Sequence, residues 1–348
     1  MKKSITYKDA GVDIKTGDST KKNIARMVRA TFSPRVLSEI GLFGGLFDIS
    51  KTGLKHPVLV SSIDGVGTKI KVAAMMGIHN TVGQDIVAHC ANDILVQGAK
   101  PLFFLDYIGC SKLSKKIALQ LIEGLVKGCK RAGCALLGGE TAEMPGVYQG
   151  FEYDLVGIIA GIVDKGKILD GKKVKSGDII IGLPASGLHT NGYSLARKLL
   201  FDTAKFKPSK YLPELRSTVG EELLKVHRDY SGVVLKLLEK FDIRAMAHLT
   251  GGGFPGNIPR VLPKNLRAII NRDSWQPLPI FSVMQNIGNV PDDEMYRAFN
   301  MGIGMVLIIK EKDAVPLLRA LAASKLKSAV IGHIEKLPTA SSNRLIYS

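Results

Sequence analysis

Cysteine is scarce in this sequence. Four residues, Cys90, Cys110, Cys129 and Cys134, stand among 348, and no two form a Cys-x-x-Cys pair. Neither a disulfide framework nor a zinc-thiolate site is expected, and reduced thiols in a cytoplasmic protein are. Long apolar runs are also missing. The longest, Leu155 to Val163, is broken by Gly157 and Gly161, too short and too interrupted to span a bilayer. Met1-Lys2-Lys3 is followed by Ser4 to Asp9 without the apolar segment of a signal peptide, so no membrane association or targeting is expected.

Acidic residues are the scarcer charge, with 31 Asp plus Glu against 48 Lys plus Arg and a net charge of +17. Such a balance raises the question of a polyanionic partner. The lysine pairs Lys2-Lys3, Lys21-Lys22, Lys115-Lys116 and Lys172-Lys173 are scattered, with no basic run, which favours small anionic substrates over nucleic acid. No Gly-x-Ser-x-Gly elbow is present, so hydrolysis of that kind is excluded. Gly161 to Lys167 imitates a P-loop but continues with Ile168 where a hydroxyl must hold magnesium. Gly251-x-Gly253-x-x-Gly256, with Asp273 downstream, satisfies a dinucleotide pattern formally. It contains Pro255 and comes late in the chain, and three glycines before a helix make a phosphate nest more simply.

What is present organises itself around Ser61 to Lys69. An apolar run from Pro57 to Val60 delivers it and a helical pattern follows. Asp64, Gly65, Gly67, Thr68 and Lys69 together offer a carboxylate, two glycines, a hydroxyl and an ammonium, a set suited to a phosphate and its metal. Taken alone the nine residues fit a β-turn equally well.

The length suits two domains and 45% hydrophobic residues suit a chain folded throughout. A short helix is expected around Ile24, Met27 and Val28, capped by Ser19 or Thr20. Gly41 to Phe47 reads either as a lid or as a loop with packed Phe side chains. Helices are expected over Thr68 to Met76, Asn80 to Gln97 and Ser114 to Ala132, and strands over Leu102 to Ile108, Cys134 to Leu137 and Phe151 to Asp164. On the second helix Asp85, His89, Asn92 and Asp93 recur every three or four residues and share one side. Asp93, near the helix end, is a second candidate metal ligand. Gly138-Gly139-Glu140-Thr141 opens a second loop expected to bind ligand at a strand end.

A turn to Lys, Gly and Asp over 165–177 puts a boundary near residue 170, dividing the chain into domains 1–170 and 171–348. In the second half a strand, Ile179 to Leu183, leads to His189-Thr190-Asn191 at a helix start that runs to Leu200. Residues 202–218 look irregular and Val219 to Lys240 helical. A strand, Ile243 to Leu249, feeds Thr250 to Asn257, and strands Met305 to Ile309 and Ala329 to Ile334 flank a helix from Lys312 to Ala323.

These residues are similar to those of one family, the phosphoribosylformylglycinamidine cyclo-ligases. The resemblance is carried by Thr6 to Asp13, Asp64 to Lys69, Asn92-Asp93 with Gly98-Ala99-Lys100-Pro101, and Gly138 to Gly146. In the second half it rests on His189 to Ser194, His248 to Gly253, Asn257 to Arg260 and Glu294 to Arg297. Asp93 to Pro101 is shared with selenophosphate synthetases and formylglycinamidine ribonucleotide synthetases, whereas Glu140 to Gly146 and Glu294 to Arg297 are much more specific. A selenophosphate synthetase would carry a Cys or selenocysteine in its amino-terminal glycine-rich segment, and the first cysteine here is Cys90. A nucleotide-binding regulator would not need the substrate residues of the second half. The chain departs from the family pattern at Val226-His227, where Pro-Thr is usual, and at Gly232, where Lys is usual.

The resemblance implies two α+β domains, each a mixed sheet flanked by helices, in a homodimer whose first-domain sheets pair. It implies ATP-dependent closure of formylglycinamidine ribonucleotide to aminoimidazole ribonucleotide, with Mg2+. Asp64, Asp93 and Glu140 are then expected to hold the metal, and the loops at 64–69 and 138–140 the nucleotide. Lys69 is expected to neutralise phosphate, Thr141, Asn191 and Gly251 to Gly253 to hold the substrate, and His189 and His248 to move protons.

Overall fold

In a computed structural model, residues 23–39, 44–50, 52–150, 152–339 and 342–348 are described. The expected Ser19 or Thr20 cap, Thr6 to Asp13 and the Gly41 to Phe43 part of the glycine-rich segment lie outside them. Residues 23–29 are helical and seat Val28 in the core.

The first half forms a four-stranded sheet. Strands β1 (Pro57–Gly65), β2 (Lys100–Cys110), β3 (Ala135–Glu143) and β4 (Tyr153–Asp164) lie in the order β1-β4-β2-β3. β4 runs antiparallel to both neighbours, and β2 and β3 are parallel, as a crossover helix requires. That helix is α3 (Lys115–Ala132). It packs with α2 (Asn80–Leu95) on one face of the sheet, while α1 (Lys69–Met76) follows β1 directly. Helix α3 starts where Ser114 accepts the Ile117 N–H and stops at Gly133, whose φ of 72° only glycine adopts readily. α2 and α3 cross at two glycines: a Cβ on Gly83 would lie 2.4 Å from Leu121 O, and one on Gly124 2.3 Å from Asn80 O.

The expected loop at Gly138 to Glu143 is strand instead. Its backbone stays on the β2 ladder, pairing Gly139 with Asp106 and Glu140 with Tyr107. The Asp106 side chain occupies the space a Cβ on Gly139 would need, so that glycine serves packing rather than a turn.

The second half holds a six-stranded sheet in the order β12-β9-β11-β5-β10-β8, made of β5 (Ile179–Pro184), β8 (Ala245–His248), β9 (Leu266–Ile270), β10 (Ile303–Ile309), β11 (Ala329–Lys336) and β12 (Leu345–Tyr347). A two-stranded ribbon, β6 (Tyr211–Leu212) and β7 (Ser217–Thr218), sits in the otherwise irregular stretch. The helices that bear on the site are α4 (Tyr193–Arg197), α5 (Val219–Leu223), α6 (Ser231–Leu238) and α7 (Gly253–Asn257). The single helix expected over Val219 to Lys240 is therefore two, α5 and α6. Between them residues 225–230 leave helical geometry because α2 holds their backbone: Asp85 accepts the His227 N–H, and Asn92 binds Arg228 O and the Tyr230 N–H. Strands β9 and β12 carry no pattern that the sequence reading separated from loop. Among the described residues no helix is long and apolar enough to cross a membrane.

Candidate active site

The polar face of α2 is where the two halves meet. Each member of its expected set reaches the second half: Asp85 to His227, His89 to Thr190, Asn92 to Arg228 and Tyr230, and Asp93 to His248. The spacing of three and four residues aligns them along one side, and the sheet underneath turns that side toward the second domain.

Asp64 and Asp93 stand at the mouth of this interface, with side chains 43% and 27% exposed. Asp64 ends β1, where its Oδ1 accepts the Gly65 N–H at 2.7 Å. Behind the carboxylates lie buried imidazoles. His89 Nε2 is 3.0 Å from Asp64 Oδ2 and 3.6 Å from Asp93 Oδ2, and its Nδ1 is 2.7 Å from Thr190 Oγ1. Thr190 Oγ1 is 3.3 Å from His227 Nδ1, and His227 Nε2 is 3.0 Å from His248 Nε2. His248 Nδ1 closes the circuit 2.8 Å from Asp93 Oδ1.

These contacts run in series from one carboxylate to the other: Asp64, His89, Thr190, His227, His248, Asp93. The five links need one hydrogen each, and three neutral imidazoles and one hydroxyl supply four. With both carboxylates ionised, the circuit needs one additional proton for every link to be a hydrogen bond. Burial alone raises the Asp64 and Asp93 carboxyls, but the His89 and His248 hydrogen bonds and charges outweigh it and hold both below the usual range. Burial likewise lowers His89, and Asp64 and Asp93 overcome it and raise the ring. His248 stays lowered by burial despite Asp93. His189 and His227 are pushed far down by burial and by neighbouring positive charge.

Lys69 departs from its expected place. Its side chain is wholly out of solvent, 2.8 Å from the equally buried Asp85, and Nζ donates to His189 O at 3.1 Å and Lys225 O at 2.7 Å. Its charge is spent on joining the halves, so it offers no open ammonium for a phosphate. Burial pushes Lys69 down and Asp85 up, each opposed by the other.

Thr68 lies nearer the surface, its Oγ1 3.2 Å from Ser194 Oγ, and Gly67 takes φ 70° just before it. Asn191 adjoins the centre: its Nδ2 donates to Thr190 Oγ1 at 3.4 Å, and its Oδ1 lies 3.3 Å from where a Gly251 Cβ would be. Gly251, Gly252 and Gly253 begin three residues after His248, shaped by Asn257 Nδ2, which donates to the carbonyls of Thr250, Gly251 and Gly253. His189 is buried with φ 64°, its Nε2 accepting the Ser186 N–H at 3.2 Å. It stacks on His227 with ring centroids 3.9 Å apart.

Gly138, Gly139, Glu140 and Thr141 are not brought to this centre. They lie on β3, one edge of the sheet, and Asp64 ends β1, the other edge. With two strands between them, about 14 Å of sheet separates these edges, so Glu140 cannot share an ion with Asp64 and Asp93 of the same chain.

The sequence reading named His89 without a role and His227 only as a departure. His89 was legible as the residue one turn before Asp93. No local signal could place His227, whose partners Asn92 and His248 lie 135 and 21 residues away. A hollow of about 660 Å³ lined by Arg272, Trp275, Gln276 and Tyr296 contains none of the expected residues. Arg272 there is already engaged by Asp293, Tyr296 and Tyr347.

Residues 51–163 match the AIR synthase related protein, N-terminal domain, and residues 175–341 match its C-terminal domain. The phosphoribosylformylglycinamidine cyclo-ligase of Geobacter metallireducens is 53% identical over 334 residues, 96% of each chain. The chain belongs to the phosphoribosylformylglycinamidine cyclo-ligase family. Relatives of the same name from Geotalea uraniireducens and Thermodesulfovibrio yellowstonii are 50% and 49% identical. The first match covers 97% of each chain, the second 96% of this chain and 97% of the relative. Among solved structures, thiamine-monophosphate kinase from Stenotrophomonas maltophilia superposes with a TM-score of 0.66 at 19% identity, covering 93% of this chain and 95% of that one. Hydrogenase maturation protein HypE of E. coli superposes with a TM-score of 0.66 at 13% identity, covering 93% and 92%. Likeness at these identities shows the shared fold alone.

Proposed function

We propose that this chain closes the imidazole ring of formylglycinamidine ribonucleotide, giving 5-aminoimidazole ribonucleotide with release of ADP and phosphate, a step of purine biosynthesis. The observation that carries the reading is 53% identity over 96% of both chains to a relative of that name. The site is consistent with it. Two carboxylates at an open mouth, a hydroxyl pair formed by Thr68 and Ser194 across the two halves, and Asn191 beside Gly251 all lie at the junction of the halves.

The formyl oxygen is a poor leaving group. Attack of that oxygen on the γ-phosphorus of ATP expels ADP. Attack of the amidine nitrogen on the formyl carbon then forms the N–C bond and breaks the carbon–oxygen bond to expel phosphate, and the nitrogen loses its proton. Such transfer depends on positioning and charge neutralisation. Asp64 and Asp93 fit Mg2+, which takes one or two protein carboxylates and completes its shell with phosphate and water. When bound, the ion supplies charge neutralisation at the phosphates. We assign His248, held by Asp93 and linked to His227, to move the proton along this circuit. The buried His189 positions His227 through its stacking contact.

Several further features belong to this reading. The domain boundary falls near residue 170, between the end of β4 at Asp164 and the start of β5 at Ile179. A homodimer is supported by the sheet face opposite α2 and α3, where Leu59 and Ile63 are 61% and 64% exposed. A cytoplasmic enzyme that binds neither nucleic acid nor membrane agrees with its dispersed charge.

The test is incubation with ATP, Mg2+ and formylglycinamidine ribonucleotide, following the product by its diazotisable amine and ADP in parallel. Equal, substrate-dependent formation of both is expected. ADP without the aminoimidazole, or neither product, would reject the assignment.

A further inference from the structure

The hydrogen bonds of the circuit can run in either of two directions, and Asn92 decides between them. Its Oδ1 accepts the Tyr230 N–H at 3.0 Å and its Nδ2 donates to Arg228 O at 2.8 Å. Both partners are backbone groups of fixed polarity. The amide cannot be turned round without setting N–H against N–H and oxygen against oxygen. The same Nδ2 lies 3.3 Å from His227 Nε2. That nitrogen must therefore accept, and since burial keeps the ring neutral, its proton is on Nδ1.

The other links follow from this one. His227 Nδ1 donates to Thr190 Oγ1 at 3.3 Å, Thr190 to His89 Nδ1 at 2.7 Å, and His89 Nε2 to Asp64 Oδ2 at 3.0 Å. Asn191 Nδ2 also donates to Thr190 Oγ1, as suits a hydroxyl whose own proton is turned to His89. On the other side His248 Nε2 donates to His227 Nε2 at 3.0 Å. Each of these contacts has a hydrogen of its own. The link from His248 Nδ1 to Asp93 Oδ1, at 2.8 Å, has none. In the opposite direction the link without a hydrogen would fall between His89 and Asp64.

His227 is held firmly in this role. It is wholly buried, its N–H donates to Asp85 Oδ1 at 2.7 Å, and its ring stacks on His189 with centroids 3.9 Å apart. The threonine usual at this position in the family would offer one polar side-chain atom. The imidazole offers two, and both are engaged.

We propose that Asn92 and His227 are positioning residues that set which nitrogen of His248 is free. They hold its proton on the buried Nε2 and leave the Nδ1 lone pair turned toward Asp93 at the mouth. Nδ1 is then the atom with which His248 accepts the proton released on ring closure. Asn92 acts through His227, and His227 through His248. The source of that proton rests on the ring-closure reading, whereas the direction of the hydrogen bonds does not.

The test is heteronuclear NMR of the full-length chain carrying nitrogen-labelled histidine, in Mg2+, beside steady-state kinetics of ring closure. One-bond N–H couplings should place protons on His227 Nδ1 and His248 Nε2, with a further coupling across the hydrogen bond between the two Nε2 atoms. A proton on His227 Nε2, or none on His248 Nε2, would overturn the proposal. His227→Ala should lower kcat about 100-fold with little change in KM, and His227→Gln, whose carbonyl can accept from His248, should recover most of that loss. Asn92→Ala added to His227→Ala should cost no further kcat, because the two residues act through one proton. Parental kcat in folded His227→Ala, no recovery with Gln, or additive losses would each count against the positioning role and sink it. Should the variants not fold, the couplings in the unmodified protein decide. Reversed couplings in a protein that closes the ring would reject this inference and leave the enzymatic assignment intact. The expected couplings in a protein that makes no product would reject that assignment and leave the direction of the circuit standing.

Discussion

Lys69 Nζ lies 2.8 Å from Asp85 Oδ2 with both side chains fully excluded from solvent, and the same ammonium holds carbonyls of the second domain at His189 and Lys225. An ion pair buried at a domain junction is costly to break from one side, because the surviving charge is left without a partner. Lys69→Ala and Asp85→Ala should each destabilise the protein by about 3 to 5 kcal/mol. A Lys69→Met, Asp85→Leu double variant should recover much of that loss. Denaturant unfolding of the three variants checks this. Single variants as stable as the parent would show that the pair is dispensable.

Asp93 faces the mouth and accepts from His248. In the proposed reaction, replacing it would weaken the hold on the divalent ion that neutralises the phosphates. Asp93→Asn should lower kcat/KM on the order of 100- to 1,000-fold while the unfolding midpoint moves little. Steady-state kinetics beside thermal melts separate the two effects, and near-parental turnover would remove Asp93 from the reaction.

Asp106 is buried opposite Gly139, and burial, aided by the charge of Glu140, pushes its carboxyl up to about 7. The folded state holds this proton more tightly than the unfolded chain. The stabilisation is therefore fully present below about pH 4, the ordinary carboxyl range, and lost as pH rises through about 7. The loss amounts to at most about 4 kcal/mol, from roughly three pKa units. Asp106→Asn should flatten this part of the pH profile and be more stable than the parent at pH 8. Parallel unfolding curves for parent and variant at pH 5 and pH 8 would count against it.

Gly124 meets α2 where a Cβ would sit 2.3 Å from Asn80 O. Backbone cannot rotate aside as a side chain can, so Gly124→Ala must push the helices apart. A cost of about 1 to 3 kcal/mol is expected, in the range of overpacked cores, despite the better helix propensity of alanine. A stability gain measured in urea would show that this crossing is looser than its geometry.

Much of the first domain was legible because its signals are local. Ser114 and Gly133 bound one helix as cap and stop, the Pro57 to Val60 run announced β1, and the three-and-four spacing of Asp85, His89, Asn92 and Asp93 marked a shared face. The errors fall where partners are remote in sequence. Gly138 and Gly139 carry a turn signal, yet the ladder to β2 keeps them in strand. The helical pattern from Val219 to Lys240 breaks where α2 takes hold of residues 227, 228 and 230.

By itself the sequence determined which residue types could do chemistry, which helix face would carry several of them, and the family resemblance. Tertiary structure decided which of them meet. Lys69 finds its carbonyl partners 120 and 156 residues away, and His89 reaches Thr190 across 101. Periodicity and capping report only on interactions within a few turns of chain, whereas burial and pairing depend on which surfaces two packed domains press together. That is why an expected phosphate ligand became an interdomain tie, and a residue noted only as a departure, His227, came to stand at the centre of the site.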